Sequence, residues 1–221
     1  MMSIFKYSVH KRDQFLADSL TKPAQPAPSA NERISSLPLR RWMNTLKMRS
    51  TQQMVIRQAT PADQFQIAAF LGTLSAQTCR LRYLTPTTFD HASALNEARR
   101  MFERAERGFV LLACDPDDDA AVVGLVEVAR DCHAVEVAEL ALVIRDDRQG
   151  QGLGSKLVQR AKAHVRQMCL GTLRAHMLAE NIAMRRLFEQ FGRSELVAYD
   201  DGVLELAIEL PPTFAQLQPA A

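Results

Sequence analysis

Apolar and polar positions change their spacing several times along this chain, and each change marks an element. Val55-Ile56-Arg57-Gln58-Ala59 has the brevity of a short strand. Thr60-Pro61-Ala62-Asp63 then reads as a helix start, with Thr60 the capping candidate and Pro61 at the first helical position, where its missing N–H costs nothing. Phe65, Ile67, Ala68 and Leu71 form the apolar side of that helix. Helical spacing recurs near 75–82 and 93–106. Phe109-Val110-Leu111-Leu112-Ala113 is a strand, Asp115-Pro116-Asp117-Asp118-Asp119 a turn, and 122–129 the returning hairpin partner. A strand at 135–144, a helix at 152–168, a strand at 173–178 and a helix at 183–191 follow. Strands around 196–199 and 203–210 close the chain. The order β-α-α-α-β-β-β-α-β-α-β-β predicts a mixed α/β (α+β) fold with an antiparallel front and one β-α-β crossover.

Residues 1–52 follow no such plan. Pro23, Pro26 and Pro28 fall within six residues, fixing φ and removing donors, so an extended, unpacked stretch is expected there. Leu39, Trp42, Met43 and Leu46 at i, i+3, i+4 and i+7 predict a short amphipathic helix, with Arg40, Arg41, Lys47 and Arg49 elsewhere around its wheel. Charge divides in the same place. Nine Lys/Arg stand against three Asp/Glu in residues 1–52, and 18 against 22 in the remainder. The reading is a basic, partly disordered arm over 1–52, a folded domain over 53–211 and a tail over 212–221. Only Phe5, Tyr7, Phe15 and Trp42 could stack on bases in the arm, which argues against specific nucleic-acid binding.

No run approaches the roughly 18 apolar residues of a membrane span, and no apolar stretch follows Lys6 as a secretory leader requires. Cys79, Cys114, Cys132 and Cys169 are widely spaced, without a C-x-x-C pair or a histidine at ligand spacing. They are expected to be buried or half-buried thiols in a reducing, cytoplasmic setting, with no metal and no disulfide framework.

The chemistry concentrates in 135–157. The apolar run Ala138-Glu139-Leu140-Ala141-Leu142-Val143-Ile144 leads through Arg145-Asp146-Asp147-Arg148 into Gln149-Gly150-Gln151-Gly152-Leu153-Gly154-Ser155, and a helical pattern begins at once. Three glycines at alternate positions let backbone N–H groups converge without Cβ obstruction at a helix N-terminus, where the dipole favours an anion such as a pyrophosphate. The dinucleotide pattern G-x-G-x-x-G fails because the third glycine is one residue early, and the P-loop fails because Ser155 follows Gly154 where Lys is needed.

The pattern that fits is Q/R-x-x-G-x-G/A, present as Gln149-Gly150-Gln151-Gly152-Leu153-Gly154. Here the sequence resembles the GNAT superfamily of acyl-CoA-dependent N-acyltransferases over about 54–210. The opening Ile56-Arg57-Gln58-Ala59-Thr60-Pro61-Ala62-Asp63 and the later Glu180-Asn181-Ile182-Ala183-Met184-Arg185-Arg186-Leu187-Phe188-Glu189-Gln190-Phe191-Gly192 stand in the family's order. The resemblance implies a central, mostly antiparallel mixed sheet of six to seven strands, flanked by helices and splayed in a V between the fourth and fifth strands. It also implies acetyl-CoA as co-substrate. Unpaired backbone groups around Leu142, Val143 and Ile144 would meet the pantetheine, residues Gln149, Gly150, Gln151, Gly152, Leu153, Gly154 and Ser155 the pyrophosphate, and Asn181 the pantetheine arm. Lys156, Arg185 and Arg186 are either partners for the 3′-phosphate or residues of a solvated helix face.

An amine acceptor needs a base, because a lysine ammonium with pKa about 10.4 is almost wholly protonated at neutral pH. Glu139, alone among apolar neighbours, is either an edge-facing or ion-paired residue or the general base. Its Ala-Glu-aliphatic-Ala setting looks like that of protein-lysine acetyltransferases, whose base is the matching Glu. Glu136 and Glu127 are fallback bases expected at the surface. Many GNATs place a tyrosine acid in the late helix; Phe188 stands there, leaving Tyr199 or Tyr83 as substitutes. The stretch Leu74-Ser75-Ala76-Gln77-Thr78-Cys79-Arg80-Leu81-Arg82-Tyr83-Leu84 is similar to the acceptor side of bacterial protein-lysine acetyltransferases. A protein lysine is therefore the expected acceptor, with a small-molecule amine or a non-catalytic acyl-CoA-binding module as alternatives. GNATs frequently form homodimers, and no residue pattern here decides that.

Overall fold

The structure, a computed structural model, describes residues 54–115 and 118–211. The expected arm, its amphipathic helix and the tail lie outside the described residues. Strand β1 (Val55–Gln58) is followed by a single 3-10 turn, Pro61–Asp63, and then α1 (Gln64–Gly72). Thr60 caps the turn with Pro61 behind it, and the Asp63 side chain reaches back to the Thr60 N–H at 2.7 Å. Asp63 also accepts two hydrogen bonds from Arg57 of β1, at 2.6 and 2.9 Å. The Arg57 guanidinium, helped by the Thr60 bonds, holds this carboxyl at a pKa of about 2.

Two further helices, α2 (Ala76–Tyr83) and α3 (His91–Ala105), precede the hairpin of β2 (Gly108–Asp115) and β3 (Asp118–Arg130). Next come β4 (Val137–Ile144), a 3-10 turn at Asp146–Arg148, α4 (Leu153–Gln167), β5 (Thr172–Leu178), α5 (Ile182–Phe188), β6 (Glu195–Asp200) and β7 (Val203–Glu209). The strands form one sheet in the order β1-β2-β3-β4-β5-β7-β6. Every neighbouring pair is antiparallel except β4 and β5, which α4 joins as the expected crossover.

The two faces of the sheet carry separate cores. Leu157, Ala161 and Val165 of α4 and Phe188 of α5 pack with Val126, Val128, Leu140, Leu173, Ala175 and Met177. Ile67 and Leu71 of α1 and Ala98 and Met101 of α3 pack with Val110, Leu112, Leu125 and Val143. This division follows from strand alternation, since neighbouring side chains point to opposite faces.

Three expectations are corrected. Phe65 is 70% exposed, and Phe70 joins Ile67, Ala68 and Leu71 on the buried side of α1, because at about 100° per residue position 65 falls on the side of the helix opposite Ile67. Cys132 is exposed in the β3–β4 connection, whereas Cys79 and Cys114 are buried. Glu127, expected at the surface, is fully buried. It accepts from Arg82 of α2 at 2.9 Å and from Arg104 of α3 at 2.5 Å, and Arg104 also donates to Glu97 at 2.9 Å. Arg82 thus belongs to the interior as well. No helix among the described residues is long and apolar enough to cross a membrane.

Candidate active site

β4 and β5 are paired only at Val137↔Thr172, Ala138↔Leu173 and Glu139↔Arg174. Beyond that point β4 runs on to Ile144 and β5 to Leu178 without pairing, so the sheet opens there, as the V-shaped splay requires. The Arg145 N–H bonds Val123 O on β3, directly opposite in register. By antiparallel alternation the backbone groups of Ala141 and Val143 face β3, and those of Leu142 and Ile144 face the opening. The Ile144 carbonyl is not left unpaired, because the Gln149 side chain donates to it at 3.0 Å.

The glycine loop follows at the end of β4. Gly150 and Gly152 have φ of +69° and +78°, left-handed conformations that a Cβ disfavours, and space is open where each Cβ would stand. Gly152 is the N-cap of α4. The first i→i−4 bond of that helix runs from Lys156 N–H to Gly152 O at 3.2 Å, so the N–H groups of Leu153, Gly154 and Ser155 have no acceptor within the helix. They sit at the positive end of a 15-residue dipole. Gly154 has another role: a Cβ there would come within 2.8 Å of Leu187 Cδ1, so its absence lets α5 pack close to α4.

Polar side chains lock this loop to α2. Asp146 accepts from the Ser75 N–H at 3.0 Å, the Ser75 hydroxyl at 2.5 Å and the Thr78 hydroxyl at 2.7 Å. Burial opposes ionisation of Asp146, but these bonds outweigh it and hold its pKa below the ordinary carboxylate range. The Gln149 side chain donates to Thr78 Oγ1 at 3.1 Å, Gln151 donates to Asp147 O at 2.8 Å, and Arg148 pairs with Asp115. Gln149 and Gln151 therefore anchor the loop. Ser155 accepts from Gln190 at 3.0 Å, and Asn181 caps α5 by accepting the Met184 N–H at 3.1 Å.

Glu139 lies at the vertex of the opening, 7% exposed. As the strands diverge, it reaches diagonally to His176 on β5, with Oε1 at 2.9 Å from Nδ1. His176 Nε2 is 3.6 Å from Glu205 of β7, and Arg174 is 3.4 Å from the other oxygen of Glu205. The sequence reading missed His176. Its signal was the alternation of Leu173, Ala175 and Met177 with Arg174 and His176, which places the histidine on the face Glu139 shares.

The remaining sequence candidates scatter. Glu136, Lys156, Arg185 and Arg186 are exposed, and Arg185 pairs with Glu189. Glu127 is held by its two arginines. Phe188 is fully buried in the core. Tyr199 is 63% exposed on the edge strand, and burial pushes the Tyr83 hydroxyl far above its ordinary pKa. Arg80 of α2 pairs with Glu180, one residue before Asn181.

Known proteins share this architecture. The family model for the acetyltransferase (GNAT) domain matches residues 53–194. Acetyltransferase Pat of Mycolicibacterium smegmatis (strain ATCC 700084 / mc(2)155) is 30% identical over 91 residues, which are 41% of this chain and 27% of that protein. The match thus spans about a quarter of that relative's length. Among solved structures, the GNAT domain of S. lividans PAT is similar with a TM-score of 0.59 at 20% identity, over 73% of this chain and 93% of that one. A GNAT superfamily phosphinothricin acetyltransferase from Sinorhizobium meliloti, solved in complex with AcCoA, gives a TM-score of 0.58 at 15% identity, over 76% and 93%. At such identities these likenesses speak for the fold, and the family model, matching well over half of the sequence, speaks for descent. The chain belongs to the GNAT family of N-acetyltransferases.

Proposed function

We propose that this chain moves an acetyl group from acetyl-CoA to a primary amine, with Glu139 as general base. The observation that carries the reading is the opening between β4 and β5, with a buried carboxylate at its vertex and a glycine loop at a helix N-terminus beyond its far end. In this reading the pantetheine lies along β4 as an added strand, meeting the outward backbone groups of Leu142 and the Ile144 N–H, whereas the expected Val143 groups are turned to β3. The 149–155 loop takes the pyrophosphate on the free N–H groups of Leu153, Gly154 and Ser155. Asn181, at the start of α5, borders the pantetheine arm.

Glu139 takes a proton from the ammonium, the neutral amine attacks the thioester carbonyl, and the Leu142 N–H faces the oxyanion. The thiolate then leaves with little assistance, because a thiol pKa near 8.5 makes it a good leaving group, and the proton shed by the acylated nitrogen leaves it as the thiol. Phe188 can offer no acid, and this suits a mechanism governed by its base.

The acceptor we favour is a protein lysine, on the resemblance of 74–84 to the acceptor side of lysine acetyltransferases. The alternative acceptor is a small-molecule amine, for which the hollow beside α2, about 340 Å³, open to solvent and lined by Ala76, Gln77, Arg80, Pro86, Thr87 and Thr88, has room. The free thiols fit a reducing, cytoplasmic setting.

The test is acetyl-CoA turnover read as thiol release, with proteome extract, lysine peptides, polyamines and aminoglycosides as acceptors. Glu139→Gln is expected to lower kcat by roughly a hundredfold or more, leaving KM for acetyl-CoA near that of the wild type. Label entering proteins supports the lysine acceptor, and turnover with a single small amine moves the acceptor to a metabolite. Tight acetyl-CoA binding without thiol release from any acceptor would leave a binding module in place of an enzyme.

A further inference from the structure

Glu139 does not stand alone, and its companions come from two other strands. His176 Nδ1 is 2.9 Å from Glu139 Oε1, and the two side chains are 9% and 8% exposed. Behind the ring, Glu205 lies 3.6 Å from Nε2, and Arg174 lies 3.4 Å from Glu205. Register explains the assembly. Glu139 is opposite Arg174, His176 is opposite Glu205, and Arg174 and His176 are two apart on β5, so all four side chains fall on one face. The other charged groups near this face have partners of their own: Arg82 is bound to Glu127 on β3, and Arg80 of α2 to Glu180.

We infer that His176 is the positioning residue of the general base, and that Glu205, steadied by Arg174, sets the orientation of its ring. This rests on the reading of Glu139 as the base. On its β3 side Glu139 is opposite Ala129, and on its β5 side the pairing ends at Arg174, where the gap begins. The imidazole supplies a contact across the gap: Nδ1–H donates to the carboxylate, and in the imidazolium form Nε2–H faces Glu205, so a ring flip would replace both N–H groups by C–H. The logic is that of a base held by a third group, in which orientation governs the rate more than affinity does. His176 touches no reacting atom in this scheme and acts only through Glu139.

The experiment compares full-length wild type with His176→Ala, His176→Asn, His176→Gln, Glu205→Gln and Glu139→Gln, using acetyl-CoA with a lysine peptide and with spermidine. An asparagine amide nitrogen can stand where ring Nδ1 stands, whereas a glutamine amide reaches the Nε2 position. His176→Ala is expected to lower kcat about ten- to hundredfold with KM for acetyl-CoA within about twofold. His176→Asn should restore most of that loss, His176→Gln should not, and Glu205→Gln should fall between. Nitrogen NMR on histidine-labelled protein should find the Nδ1 proton on His176 in the wild type.

Wild-type kcat in His176→Ala, with Glu139→Gln inactive, overturns the inference and leaves the base standing. A loss that Asn and Gln repair equally, or one that raises KM in step with the fall in kcat, also overturns it, since a merely structural side chain would behave so. Full activity in Glu139→Gln removes the base, and the inference with it. If His176→Ala fails to fold, the contrast between Asn and Gln decides.

Discussion

At the scale of single residues, the two glutamates that interrupt apolar strands have opposite fates. Glu139 sits where the sheet opens, whereas Glu127 sits inside it, fully buried against two arginines. Both are isolated acidic positions in a hydrophobic run, and only their partners separate them. Arg82 and Arg104 are 45 and 23 residues away in sequence, so no local spacing could announce them. The energetics of such a cluster are asymmetric, because removing one member leaves its partners charged and desolvated. Glu127→Ala is expected to lose roughly 3–5 kcal/mol in urea unfolding, because it takes the shared carboxylate from two arginines whose side chains are only 3% and 17% exposed. Glu127→Leu combined with Arg82→Met should recover at least half of that loss. Equal losses in the single and double variants would show that the cluster does not behave as a buried charge network.

At the scale of elements, the segment from the end of β4 to the first turn of α4 is the most closely specified piece of the molecule. Asp146 and Gln149 bind it to α2, and Gly150 and Gly152 take conformations that would strain any other residue. Gly152 separates stability from ligand binding. A Cβ there meets nothing within 4 Å, so Gly152→Ala has only the left-handed conformation to overcome, roughly 1–2 kcal/mol. If the open space is where a pyrophosphate approaches the helix N-terminus, the same methyl obstructs it. Gly152→Ala is therefore expected to raise KM for acetyl-CoA at least about tenfold with a modest fall in melting temperature. A variant with unchanged KM would move the phosphate site away from this loop.

At the scale of the whole molecule, the order of elements and the crossover were legible because they rest on local periodicity. The strand–loop–helix of 138–157 was legible because its glycines answer a local backbone demand. What escaped depended on contacts between distant segments: the Glu127 cluster, the exposure of Phe65, the anchoring roles of Gln149 and Asn181, and His176. One property does follow from the whole. Among the described residues, the buried members of both cores lie between Ile67 and Ile208, with helices on each face of one continuous sheet. Residues 1–52 carry the opposite net charge and a different composition. We therefore expect deletion of residues 1–52 to leave the melting temperature within about 3 °C and KM for acetyl-CoA within about twofold, since a domain of this size shifts by about 2–4 °C per kcal/mol. The check is a thermal melt of the full chain beside the shortened one, followed by acetyl-CoA titration of both. A fall of about 8 °C or more would mean that the arm contributes on the order of 2–4 kcal/mol of packing to the body. If instead both measurements hold while transfer to protein acceptors drops, the basic arm belongs to acceptor recognition and the domain 53–211 stands as the catalytic unit.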